Sequence, residues 1–129
     1  MEPIMEIENV REAIRWQADH AASNGAPCTG LVVRAQLALL DGATAVGRAL
    51  AHWPGRPLED ALPLRLAGGH HFLTLTGADA RLAPVYRGEV TDQAEVDALV
   101  GAVTRDHDAA LLPWLDGPPQ TNEAGRSDR

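Results

Sequence analysis

The chain has 129 residues, enough for one domain that buries roughly two-thirds of the surface its unfolded form exposes. Its 11 basic residues, all arginine, stand against 18 acidic ones for a formal net charge of -7, a field that opposes binding to nucleic acid and to anionic membrane surfaces. The single Cys28 can form no intramolecular disulfide, no apolar run is long enough to span a bilayer, and the charged start MEPIMEIENVREAIRW is unlike a signal peptide, so a cytoplasmic location is expected.

Over residues 6–24, Ile7, Val10, Ile14, Ala18 and Ala21 recur at three- and four-residue steps, and Gly25 follows where a left-handed cap would sit. The spacing predicts an amphipathic helix. Trp16 falls about half a turn off that stripe, either as a partner contact or covered by another part of the fold. After the Gly25-Ala26-Pro27 break, CTGLVVRAQLALL is apolar almost all round, interrupted only by Arg34 and Gln36, which predicts a helix buried on most sides. Residues 41–44 read as a turn or cap, and Val46, Ala49, Leu50 and Trp53 make a narrow stripe that must stop before Pro54. WPGRP is a loop.

Pro63 sits well in the first turn of a helix over LRLAGGHHFLTLT, whose apolar residues again surround the axis. A short strand over HFLTLT is the rival. The Gly68-Gly69 pair costs about 1 kcal/mol per residue relative to alanine inside a helix, which predicts a close approach by a neighbouring helix. ADARLAPVYRG reads as a short helix broken near Pro84. Asp92 with Glu95 makes a capping pair for a last helix in which Val96, Leu99, Val100, Val103, His107, Ala110, Leu111 and Trp114 share one face, its end distorted by Pro113. The sum is an all-α fold: a single compact bundle of five or six helices with short loops over residues 4–117.

Few residues carry a recognisable chemistry. Adjacent helical residues point about 100° apart, so His70 and His71 cannot easily share one metal, and both are expected to be structural. His71 shares a face with Leu64, Ala67 and Leu75; if that face is the core, its ring must be neutral or hydrogen-bonded. Arg65, near the start of the same helix, would then need a carboxylate partner. Asp106-His107-Asp108 offers ligand-type side chains, but three consecutive helical residues diverge, and a small metal-dependent hydrolase using His107 with either aspartate is the weakest reading. No metal is expected. Nothing local supplies Cys28 with a base or an oxyanion hole, and the phosphate-loop, dinucleotide, nucleophile-elbow and zinc-protease motifs are all absent.

The last twelve residues, PPQTNEAGRSDR, hold one aliphatic side chain and cannot bury themselves. Residues 118–129 are therefore read as a polar tail, either disordered or the stub of a following domain. Within it Gln120, Thr121, Asn122, Glu123 and Arg126 gather two amides, a hydroxyl, a carboxylate and a guanidinium, dense enough to orient a polar ligand or to join two domains.

ALPLRLAGGHHFLTLTG and PPQTNEAGRS resemble the two most recognisable segments in the first half of the bacterial family of domain of unknown function 2332, the second being similar to its Q-T-N-E-x-G-R signature. Trp16-Gln17 and the GPP before the signature are also similar, so the resemblance covers most of the chain. Members are usually longer, continuing into a methyltransferase-like α/β domain with a glycine-rich turn for S-adenosylmethionine, and none of that is present here. The resemblance implies no cofactor for this chain by itself; S-adenosylmethionine would enter only with a downstream domain, and enzymatic activity of this chain alone is not expected. Carried over residue by residue, the matching positions are Arg65, His71, Gln120, Thr121, Asn122, Glu123, Gly125 and Arg126, as ligand or interdomain contacts. The resemblance implies an N-terminal helical domain acting as a lid or substrate-selecting platform for that downstream domain. The alternative is a stand-alone module that forms a homo-oligomer through its helical faces.

Overall fold

The stripe over residues 6–24 becomes α1 (Pro3–Ser23) in a computed structural model that describes residues 3–116. Val10, Ile14 and Ala18 are buried, and the helix closes through Gly25 in the left-handed region at φ 87°, with Ala26 N–H donating to the Ala21 carbonyl at 2.9 Å. Helix α2 (Pro27–Ala35) packs along α1 closely enough that a Cβ on Gly30 would meet the Ala18 carbonyl oxygen at 2.9 Å.

The helix expected to run through LVVRAQLALL is shorter than its pattern. After Ala35 the chain tightens into a 3-10 segment, Gln36–Asp41, a common way for an α-helix to end. Gln36 is fully buried, and its side-chain amide donates to the Pro63 carbonyl at 2.8 Å. Helix α3 (Ala45–Ala51) starts at Thr44, whose hydroxyl accepts from Gly47 N–H at 2.9 Å, and it ends ahead of Pro54 as the proline requires.

The WPGRP loop is held by one carboxylate. Asp60 accepts from Trp53 Nε1–H at 2.8 Å and from Arg56 N–H at 3.0 Å. Ala61 then takes a left-handed conformation at φ 54° and leads into α4 (Leu62–Leu75). HFLTLT is helical through Leu75, with Thr76 as the C-cap. Thr74 and Thr76 return their hydroxyls to the carbonyls of His70 and Phe72, at 3.1 and 2.9 Å, which absorbs polar side chains that would otherwise favour a strand. The glycine pair does admit a neighbour: a Cβ on Gly69 would lie 2.9 Å from both Leu111 Cδ2 and Trp114 Cγ.

In α5 (Ala83–Tyr86) Pro84 opens the helix rather than breaking it, since a first-turn proline loses no helical hydrogen bond. Asp92 caps α6 (Gln93–Asp106) by accepting from Glu95 N–H at 3.0 Å. The long face over residues 96–114 is not one helix. It breaks at His107 (φ -125°, ψ 26°) and continues as α7 (Asp108–Leu111) and a 3-10 segment, Leu112–Asp116, which leaves Ala110 exposed. Asp108 is the cause, because its carboxylate turns back to accept from Ala45 N–H at 2.8 Å and Val46 N–H at 2.9 Å, capping α3 from across the fold.

The described residues are thus all-α, with seven α-helices where five or six were expected, the surplus arising from the break at His107. Helix α4 lies among α1, α2, α6 and α7, and the core runs through Ile14, Val32, Leu50, Leu66, Val100 and Leu111. Among the described residues no single helix is long and apolar enough to cross a membrane.

Candidate functional site

Successive residues of α4 step about 100° around its axis, so its side chains sort into two faces. Leu62, Leu66, His70 and Leu73 point inward and are buried. Arg65, Gly68, Leu64, His71, Phe72 and Leu75 fall within about 120° on the other side. Three of these are large apolar groups left in water: Leu64 is 42% exposed, Phe72 50% and Leu75 71%. His71 does share a face with Leu64 and Leu75, and that face is not the core: of Leu64, Ala67 and Leu75 only Ala67 is buried. Since α4 is apolar nearly all round, its pattern leaves the inward side undetermined. Packing of α4 against α1, α2, α6 and α7 fixes it.

The buried histidine is His70. Its Nε2 lies 2.9 Å from the Thr104 hydroxyl, which donates its own proton to the Val100 carbonyl at 2.7 Å. The hydrogen-bond network therefore assigns the Nε2–H tautomer: the ring donates to Thr104 and is neutral. Burial pushes its pKa down to about 4. Nδ1 has no partner among the described residues. His71, by contrast, is exposed, and its ring lies against Tyr86 with centroids 4.9 Å apart. Burial raises Tyr86 to about 12, so it stays a neutral phenol at neutral pH.

Arg65 is only half-buried and needs no carboxylate in contact, because its Nη1 donates to the Leu115 carbonyl at 2.9 Å. That bond ties α4 to the Leu112–Asp116 segment. Alongside it Leu64, Arg65, Gly68 and Trp114 line an open, mainly apolar groove of about 250 Å3. Trp114 continues the groove to Phe72, the two rings tilted at 5.5 Å. Arg65 and His71 thus bracket one exposed apolar face; the sequence reading singled out both flanks and set Leu64 and Leu75 on one face with His71, but did not name Phe72. Gln120, Thr121, Asn122, Glu123, Gly125 and Arg126 lie outside the described residues, on the segment that follows Asp116.

Asp106, His107 and Asp108 go to three different partners. Asp106 accepts from Arg81 at 2.8 Å, His107 Nε2 lies 2.9 Å from Asp79, and Asp108 caps α3. Asp79 sits at the centre of this network, held well below the usual carboxylate range first by Arg81 and also by His107. Among the described residues no group of three histidine, cysteine, aspartate or glutamate side chains is placed to hold a metal ion. Cys28 is half-buried and unpaired.

What this arrangement offers chemically is an apolar, aromatic face edged by a guanidinium and an imidazole. No curated protein and no solved structure matches the chain. The family model described as "Uncharacterized protein conserved in bacteria (DUF2332)" matches residues 11–128, so the chain belongs to that family.

Proposed function

We propose that this chain is the helical domain of its family's architecture and docks, through the outer face of α4, against a methyltransferase-like domain, where it serves as a lid or substrate-selecting platform. The observation that carries the reading is the exposed group of Leu64, Phe72 and Leu75 beside half-buried Trp114, flanked by Arg65 and His71. Contiguous apolar surface of this kind marks interaction sites in soluble domains. Aromatic side chains at its centre and arginine at its edge are the composition that interfaces favour. The polar signature of residues 120–126 follows the Leu112–Asp116 segment in sequence. In this reading S-adenosylmethionine enters with the partner domain.

Hydrogen exchange tests the reading by comparing the isolated chain with a longer family protein that carries a methyltransferase-like part. Amides of residues 64–75 and 112–116 exchange more slowly in the longer protein if the face is covered. Equal rates in the two proteins would contradict the proposal. The rival occupant is a second copy of the chain, which sedimentation would detect as a dimer that Phe72→Asp dissociates.

A further inference from the structure

A second recess lies between α1 and the loop before α4, and it shares no lining residue with the α4 groove. Glu12 and Trp16 face Arg56, Pro57, Leu58 and Glu59 across a cleft of about 350 Å3. Trp16 is 51% exposed, and His20 stacks on it with centroids 4.7 Å apart and planes 11° from parallel. One indole face is therefore covered by a neighbour on the same helix while the ring still lines the cleft.

The opposite wall is built in advance. Asp60 ties Trp53 Nε1–H and Arg56 N–H together, and Leu62 N–H donates to the Pro57 carbonyl at 2.9 Å. Gly55 has no room for a Cβ, which would run into the Asp60 carboxylate and sit 3.0 Å from Trp53 Nε1. A loop fixed this way loses little conformational entropy when a ligand arrives.

Charge selects the ligand. Arg56 is taken up by Glu59 at 3.2 Å, whereas Glu12 makes no ion pair among the described residues. Two carboxylates, Glu12 and Glu59, and one guanidinium, Arg56, line the cleft, in a protein of net charge -7. That field repels anions. An indole supplies what a cation wants on its other side, the negative face of an aromatic quadrupole.

We propose that this cleft binds a small free alkylammonium or guanidinium ion, its charged head between Trp16 and Glu12 and its alkyl chain along Pro57 and Leu58. The test is a titration of the full chain with n-butylammonium chloride, followed through the three indole N–H resonances, with Trp16→Leu identifying the relevant one. The expected result is a saturable shift of the Trp16 signal with half-saturation at about 1–10 mM, the range open to so small a ligand. Glu12→Gln weakens it roughly three- to tenfold, since a near-neighbour charge is removed without loss of shape. Both positions are exposed, so both variants keep the fold, which circular dichroism checks. The proposal is overturned if sodium chloride or sodium butyrate gives the same response, if Glu12→Gln changes nothing, or if no saturation is reached. Much tighter binding of the tripeptide Gly-Lys-Gly would also overturn it, by assigning the cleft to a protein side chain.

Discussion

His70 couples the fold to pH through one buried ring. Its folded pKa of about 4 lies below the ordinary histidine value near 6.5, so between these pH values the unfolded chain takes up a proton that the folded chain refuses. Stability conferred by the neutral ring is complete above pH 6.5 and is lost as pH falls toward 4, in total by about 3 kcal/mol. Urea unfolding at half-unit steps from pH 7 to pH 4 should show that decline, and a flat profile would contradict the neutral buried ring. The depressed Asp79 carboxylate contributes outside this window, because its stabilisation begins to fade only below about pH 4. Sequence alone could not choose between the two histidines. Both lie in a helix apolar on every side, and the choice depends on Thr104, a residue 34 positions away.

At the scale of elements, α3 is short enough to depend on its caps. Its seven residues are held at the start by Thr44 and by two charge-assisted bonds to Asp108. Asp108→Ala should destabilise the protein by about 2 kcal/mol, within the upper range for losing a cap. Asp106→Ala should change stability by less than about 1 kcal/mol, since it removes only a solvent-exposed ion pair with Arg81. Equal losses in urea melts of the two variants would contradict the assignment. The break at His107 was illegible for the same reason that makes Asp108 important. The apolar period runs on unbroken through residues 96–114, and the partner that stops it lies more than 60 positions earlier. Local signals fared better where the chemistry is local: Asp92 with Glu95, Gly25 after α1, and Pro63 in the first turn of α4 all do what their types require. Gly68 and Gly69 also announced a close contact, though not its partners.

For the whole molecule, the small content of large aromatic groups gives their placement weight. The chain has three tryptophans and one phenylalanine. Trp114 and Phe72 meet on the outer face of α4, while Trp16 lines the cleft beside Glu12. Helical class followed from alanine- and leucine-rich periodicity. The surface did not, because a stripe of apolar residues reads the same whether it faces a core or a partner. Arg65 and His71 could be located through the family resemblance, yet the apolar ground between them emerges only once α4 has been turned to its proper side. The most direct test of that ground is calorimetry of this chain against a separately produced methyltransferase-like domain from a longer family member. We expect binding that Phe72→Asp weakens at least about tenfold, equivalent to ~1.4 kcal/mol. Absence of binding, or equal affinity for the wild-type chain and Phe72→Asp, would contradict the role assigned to the α4 face.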